Sequence, residues 1–254
     1  MTGFDRETHR IDGIDTVVLT AGTGAPLVFF HGAGTFHGFD FALPWAAQFK
    51  VIVPYHPGFG ESGDDERIDE MQDYVLHYLD LFDAMGLERF RLVGHSLGGR
   101  LAATFAAQHP KRIERLALAA PAGLPDKEHP AADLFRVTPD QLPQMLVADV
   151  DVLKPYLPTE PDPDFLTARY RETTSVARIV WEKPQDPKLP RWLRRIKPPT
   201  LIVWGEEDRL IPVGQGRTWQ RLIPEARLET YRGVGHLVLS ESSDAVATIK
   251  EFMH

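Results

Sequence analysis

Along this chain, apolar runs of five or six residues, rich in valine, leucine, isoleucine and phenylalanine, alternate with longer stretches in which apolar residues recur every third or fourth position. Short, continuous apolar runs bounded by turn residues are what strands buried on both faces look like. They fall at residues 16–20, 26–30, 50–54, 90–94, 115–119, 200–205 and 226–231. The helical period marks residues 68–85, 97–109, 214–222 and 242–253. In the first of these, Met71, Tyr74, Val75, Tyr78, Leu79, Phe82 and Met85 form one stripe, which predicts a helix lying against a sheet. Strands alternating with helices predict an α/β chain with a mostly parallel central sheet and helices on both faces.

The alternation breaks over residues 121–190, where 12 of the 21 prolines are found and strand signals vanish. Proline ends helices and disfavours helical geometry in the residue before it. Short helices separated by turns are therefore expected there, as a mainly helical cap inserted after strand 6 of the sheet. This divides the chain into a core domain, residues 1–120 and 191–254, and a cap or lid, residues 121–190. A length of 254 residues suits one large α/β domain carrying such an insertion.

Composition narrows the functional classes. A net charge of −8 repels phosphate backbones and anionic lipid, so neither a nucleic acid nor a membrane is an expected partner. The absence of cysteine removes disulfides, thiolate metal sites and cysteine nucleophiles. Asp5, Arg6, Glu7 and Arg10 interrupt the stretch where a secretory signal would need apolar residues, which predicts a cytoplasmic protein. The acidic residues Glu61, Asp64, Asp65, Glu66, Asp69, Glu70 and Asp73 read as a solvated loop and first helical turn, and no metal site is expected. The basic run Arg191, Arg194, Arg195 and Lys197 reads as the polar face of a short helix over Trp192, Leu193 and Ile196.

The candidate chemistry begins at Gly94-His95-Ser96-Leu97-Gly98, which follows a strand and opens a helix rich in small residues. That is the strand, sharp turn, helix setting of a nucleophile elbow, in which glycines spare the strained turn a collision with neighbouring backbone. A serine hydroxyl needs a base, and the base needs an orienting carboxylate. Of the ten histidines, His236 lies in a glycine-rich loop, Gly233-Val234-Gly235-His236, after the last strand and before the last helix. His31 and His95 suit packing or hydrogen bonding, His109 a helix end, and His9, His77, His129 and His254 the surface. Asp208 follows a strand at the carboxyl end of the sheet, where open α/β sheets gather ligand groups. Glu206, Glu207 and Asp126 are rival carboxylates. Oxyanion donors are available in the backbone N–H of Leu97 and one from His31-Gly32-Ala33-Gly34, with Ala33 preferred and Gly34 the other choice. Phe36, Phe39 and Phe41 follow that loop and suit an apolar acyl pocket, at least one of them packing into the core; His37 suits the surface or packing, and alternatively a hydrogen bond to a polar substrate group.

In chain order HGAG (31–34), HPGFGES (56–62), GHSLGG (94–99), WGEEDRLIP (204–212) and GVGH (233–236) resemble the oxyanion loop, the turn after the fourth strand, the elbow, the acid loop and the histidine loop of the α/β-hydrolase superfamily. The resemblance implies Ser96 as nucleophile, His236 as general base and acid, Asp208 as its orienter, and Ala33 and Leu97 as oxyanion donors. It implies no cofactor. Gly32, Gly34, Phe36, His37 and Leu237 would line the substrate pocket. The serine distinguishes this chain from branches that use aspartate at the elbow. It is similar to small capped esterases and lactonases, and to hydrolases that cleave carbon–carbon bonds in ring-fission diketones. The expected function is an acyl-enzyme serine hydrolase of small carboxylic esters or lactones, monomeric or homodimeric. The alternatives are carbon–carbon hydrolysis, with Arg169, Arg171 or Arg178 receiving a substrate carboxylate, and a ligand receptor that keeps a slow triad.

Overall fold

The computed structural model describes residues 3–254. Among these, eight strands form one sheet: β1 (Asp5–Ile11), β2 (Ile14–Ala21), β3 (Ala25–Phe30), β4 (Phe49–Pro54), β5 (Phe90–His95), β6 (Ile113–Ala119), β7 (Thr200–Gly205) and β8 (Arg227–Tyr231). Their order is β1-β2-β4-β3-β5-β6-β7-β8. β1 and β2 pair antiparallel, β2 joins β4 antiparallel, and every later pairing is parallel. The helices are α1 (Met71–Ala84), α2 (Ser96–Gln108), α3 (Leu142–Leu146), α4 (Pro163–Val180), α5 (Leu189–Leu193), α6 (Gly214–Leu222), α7 (Val238–Glu241) and α8 (Ser243–Phe252).

The sheet separates two hydrophobic layers, and alternate residues of each central strand enter opposite ones, as the two-residue period of a strand requires. Val28, Phe30, Leu92, Ile202 and Trp204 join the layer under α1, α2 and α6. Leu27, Phe29, Val93, Leu201 and Val203 join the layer under α8 and a 3₁₀ segment, Asp40–Ala47. Burial on both faces is why the inner residues of these strands are apolar on both sides of the sheet. Two tryptophans tie these layers to neighbouring segments. Trp45 Nε1 donates to the carbonyl of Val246 at 3.0 Å, and Trp204 Nε1 to that of Ile211 at 3.0 Å. The second bond folds the loop after β7 back over the end of its own strand.

Three elements differ from the sequence expectation. Strand β1 escaped it because Asp5–Ile11 is exposed along almost its whole length and carries no apolar period. It is held instead by its ladder to β2, across a turn in which Asp12 and Gly13 both have positive φ (44° and 84°). That is the two-residue hairpin turn Asp-Gly favours. The 3₁₀ segment Asp40–Ala47 was likewise unforeseen, and a proline at 44 obscures its period. Between β6 and β7 the expectation of short helices holds for α3 and for the 3₁₀ turns Leu134–Arg136 and Val150–Tyr156. It fails for α4, at 18 residues the longest helix among the described residues. Pro163 starts that helix and Asp162 caps it by accepting from Asp164 N and Phe165 N, and the next proline comes only at 184. The prolines thus mark the helix's ends rather than its interior.

The acidic stretch is a loop running into a capping box, Glu70 with Asp73, at the start of α1. The basic run is exposed above Leu193 and Ile196, which are buried, and Trp192, which is half-buried. No helix of the described residues is long and apolar enough to cross a membrane.

Candidate active site

Ser96 is the first residue of α2 and has φ +53°, a left-handed conformation that a residue with a side chain adopts only where its surroundings impose it. The turn is imposed by crowding. A Cβ at Gly94 would lie 2.4 Å from the carbonyl oxygen of Gly98, and one at Gly98 would lie 2.2 Å from the carbonyls of Phe30 and His31. The glycines let strand, helix and neighbouring loop meet at van der Waals distance, and the serine is pushed up at the carboxyl end of β5.

His236 arrives from the loop after β8, and its Nε2 lies 2.9 Å from Ser96 Oγ. Its Nδ1 lies 2.8 Å from Asp208 Oδ2, and the side chains of His236 and Asp208 are almost wholly buried. The carboxylate accepts, so Nδ1 carries the hydrogen and Nε2 is left as the acceptor of the Ser96 hydroxyl proton. Asp208 Oδ1 accepts the N–H groups of Leu210 (3.0 Å) and Ile211 (2.8 Å), which fixes the carboxylate at the end of β7. The rival carboxylates lie elsewhere. Glu206 accepts from Thr230 Oγ1, Glu207 is exposed, and Asp126 accepts from Thr218 Oγ1 and the N–H groups of Glu128 and His129.

Two stretches of backbone beside Ser96 carry uncommitted N–H groups. Leu97 is in the first turn of α2, whose leading N–H groups have no intrahelical acceptor. In the loop after β3, neither Ala33 nor Gly34 has an acceptor for its N–H among the described residues. Gly32 lies against the elbow, where a Cβ would stand 3.3 Å from that of Ser96.

The loop is held at its start by His31, hydrogen-bonding as expected, together with His56, which the sequence did not single out. His56 N–H donates to His31 Nε2 (3.0 Å), which leaves Nδ1–H of His31 to donate to the carbonyl of Gly32 (2.7 Å). Nε2–H of His56 donates to the carbonyl of His31 (2.9 Å), and its Nδ1 accepts from Tyr78 Oη. His95, inside the elbow, donates from Nε2 to the carbonyl of His236 (2.9 Å) and so steadies the histidine loop. His77 was expected at the surface, but it is buried and bonded to Thr16 Oγ1, because it shares the inner face of α1 with Tyr74 and Tyr78.

The predicted pocket residues divide. Gly32, His37 and Leu237 line one small cavity, with Phe29 and Phe41. Phe36 turns the other way, onto Phe165 and Arg169 of α4 and the cluster of Val147, Leu153 and Leu237. Gly34 also faces α4, since a Cβ there would lie 2.9 Å from Arg169 Nη1. Phe39 is fully buried in the core against Phe29 and Tyr55. The His236 loop is sewn to the β6–β7 excursion: Leu237 N–H donates to the carbonyl of Leu146 (2.8 Å), and Glu241 accepts from Gly235 N–H and Ala148 N–H, both at 2.7 Å.

Burial holds several histidines neutral. It pushes His56 down to about 3 and His37 and His77 to about 4, and it takes His31 and His95 well below the usual 6.5. A depressed native pKa means that the unfolded chain binds more protons between 6.5 and those lower values. The stabilisation is therefore full above pH 6.5 and is lost as pH falls through 4 towards 3. Each proton taken up costs about 1.4 kcal/mol per pH unit, or about 3–6 °C in a chain of this size. The thermal midpoint is expected to fall steadily from pH 6.5 to 4, by calorimetry; a flat midpoint over that window would contradict the assignment.

Comparison with known proteins places the chain in context. Residues 27–249 match the profile of the alpha/beta hydrolase family. A 2-hydroxy-6-oxo-6-phenylhexa-2,4-dienoate hydrolase from Burkholderia cepacia is 28% identical over 258 residues, spanning 89% of this chain and 86% of that protein. Lipase 1 of Psychrobacter immobilis is 28% identical over 240 residues, spanning 88% and 75%. The crystal structure of CarC, a serine hydrolase involved in carbazole degradation, shares the fold with a TM-score of 0.80 at 21% identity, covering 98% of each chain.

Proposed function

The chain belongs to the alpha/beta hydrolase family, and from that premise we propose that it is a serine hydrolase cleaving small carboxylic esters or lactones through an acyl-enzyme. The observation that carries this reading is the unbroken series Ser96 Oγ, His236 Nε2, His236 Nδ1 and Asp208 Oδ2, joined at 2.9 and 2.8 Å and largely out of contact with solvent. Ser96 attacks the carbonyl carbon as its proton passes to His236 Nε2, and Asp208 stabilises the imidazolium that forms. The N–H groups of Leu97 and Ala33 receive the oxyanion. The alcohol leaves with the proton from His236. Water then attacks the acyl group with His236 as base, and the acid is released. Residues 121–190 act as a cap; Gly32, His37 and Leu237 line the cavity beside the loop after β3, and Phe36 and Gly34 form the contact between that loop and α4.

The name of the Burkholderia cepacia relative favours a second reading, carbon–carbon hydrolysis of a dienoate, in which the same serine and histidine act on a ketone. Such a substrate carries a carboxylate, for which the arginines of α4 are the candidate partners. Arg171 donates to the carbonyls of Gly60 and Ser62, Arg178 to the carbonyl of Asp65 and the carboxylate of Asp64, and Arg169 is paired with Glu172. All three are engaged within the protein, which supports a neutral ester.

The test is kcat/KM on short p-nitrophenyl esters against that on 2-hydroxy-6-oxo-6-phenylhexa-2,4-dienoate. The ester is expected to win by about 10²-fold or more, as when a charged substrate group finds no partner. The reverse preference would establish the second reading. Thermal stabilisation by a ligand with turnover of neither would mark a binding protein with an idle triad.

A further inference from the structure

Among the described residues, the buried carboxylates are Asp208 and Glu172. Burying a carboxylate costs several kcal/mol unless hydrogen bonds replace its water. Asp208 orients His236, and Glu172, on cap helix α4, must be accounted for in the same way. Its Oε2 accepts the Thr35 N–H at 3.2 Å and pairs with Arg169, while its Oε1 accepts the Thr35 hydroxyl at 2.5 Å and the Gly60 N–H at 3.1 Å. One carboxylate thus gathers three elements: the loop after β3, the turn after β4 and the cap. Ser175 and Arg171 reinforce the seat by donating to the carbonyls of Gly58 and Gly60 at 3.1 Å each.

The place it pins is informative. The loop after β3 is anchored at its start by the His31–His56 pair and in its middle by Glu172 through Thr35. Ala33 and Gly34 lie between these anchors with their N–H groups unclaimed. An oxyanion donor is effective only when aimed to within a few tenths of an ångström of where the charge develops. The five-residue stretch from His31 to Thr35, with two glycines, holds no such aim by itself, because glycine leaves its backbone free.

We propose that Glu172 is a positioning residue, which holds the loop after β3 so that the Ala33 N–H meets the oxyanion, and through which the seating of cap helix α4 sets that aim. This rests on the serine-hydrolase reading. It makes the cap part of the catalytic geometry as well as a wall of the pocket: α4 in place and donor in place are one condition.

The experiment is Glu172→Gln, with Thr35→Val and the double variant. Glutamine has one acceptor oxygen, so whichever way it turns its amide NH₂ opposes a backbone N–H, of Thr35 or of Gly60. The oxyanion exists only past the ground state, so kcat on the ester should fall about 10- to 100-fold with KM within about twofold. The pH dependence of kcat/KM should stay in place, because the Ser96–His236 pair is untouched. Thr35→Val keeps the N–H and loses the hydroxyl, so it should show a smaller loss. The double variant should be no worse than Glu172→Gln, since both changes act through one contact. A fluorophosphonate should still add once to Glu172→Gln, more slowly in proportion to kcat, which shows the variant is folded with an activated serine. An unchanged kcat with a lowered thermal midpoint, or additive losses in the double variant, would overturn the proposal. If the wild type itself takes up no fluorophosphonate, the serine-hydrolase reading fails and the positioning role falls with it.

Discussion

Replacing Ser96 with alanine is expected to lower ester turnover by roughly four to six orders of magnitude, with the thermal midpoint shifted by only a few degrees. In the proposed mechanism the hydroxyl is the group that bonds to carbon, and no other hydroxyl lies within hydrogen-bond reach of His236 Nε2 among the described residues. The fold has little stake in the oxygen, because the strained turn is held by the crowding of Gly94 and Gly98 against neighbouring carbonyls. Alanine at φ +53° meets the same strain that serine already bears. Two measurements check this: kcat/KM on a short ester, and the mass of the intact protein after incubation with a fluorophosphonate ester. The wild type should gain one adduct and the variant none. A variant with near-full activity would remove Ser96 from the mechanism.

Asp208→Asn is expected to cost about 10³- to 10⁴-fold in kcat, and the geometry says why a near-isosteric change should be so damaging. Asp208 Oδ1 accepts two backbone N–H groups, from Leu210 and Ile211, while Oδ2 faces His236 Nδ1. An asparagine will keep its single oxygen on the two backbone donors, since turning the amide round would set NH₂ against both. Its NH₂ then points at Nδ1 and forces that nitrogen to accept. The hydrogen moves to Nε2, and the imidazole can no longer take the Ser96 proton. Stability should change little, as the backbone bonds survive. If Asp126→Asn did the damage and Asp208→Asn did not, the acid would be the wrong residue.

The elements that bear the site were readable along the chain wherever their cause is local. Strands β3 to β7 declare themselves because burial on both faces makes their inner residues apolar and leaves charged ones only near their starts, and the elbow because only glycine tolerates the contacts at 94 and 98. Helix α6 falls at residues 214–222 as its period predicts. The carboxylate at 208 could be preferred over 206, 207 and 126 from its place in the loop after β7, but the sequence left all four open. Distances to His236 separate them.

What was not readable depends on partners far away in sequence. Strand β1 is polar and owes its conformation to pairing with β2, although Asp12-Gly13 was a usable sign of the hairpin. Arg169, Arg171 and Arg178 resemble one another as residues, and only their neighbours show that each is already engaged.

Local stereochemistry and the burial period are properties of a few adjacent residues, so they write the α/β architecture, the sharp turn at Ser96 and the order of serine, acid and histidine directly into the chain. Glu172 meets Thr35 across 137 positions, Glu241 meets Ala148 across 93, and His56 meets Tyr78 across 22. A hydrogen bond of that kind leaves no periodicity and no composition behind it. Which polar side chains hold the loops around Ser96 and His236 therefore follows from how the segment between β6 and β7 and the helices pack onto the sheet.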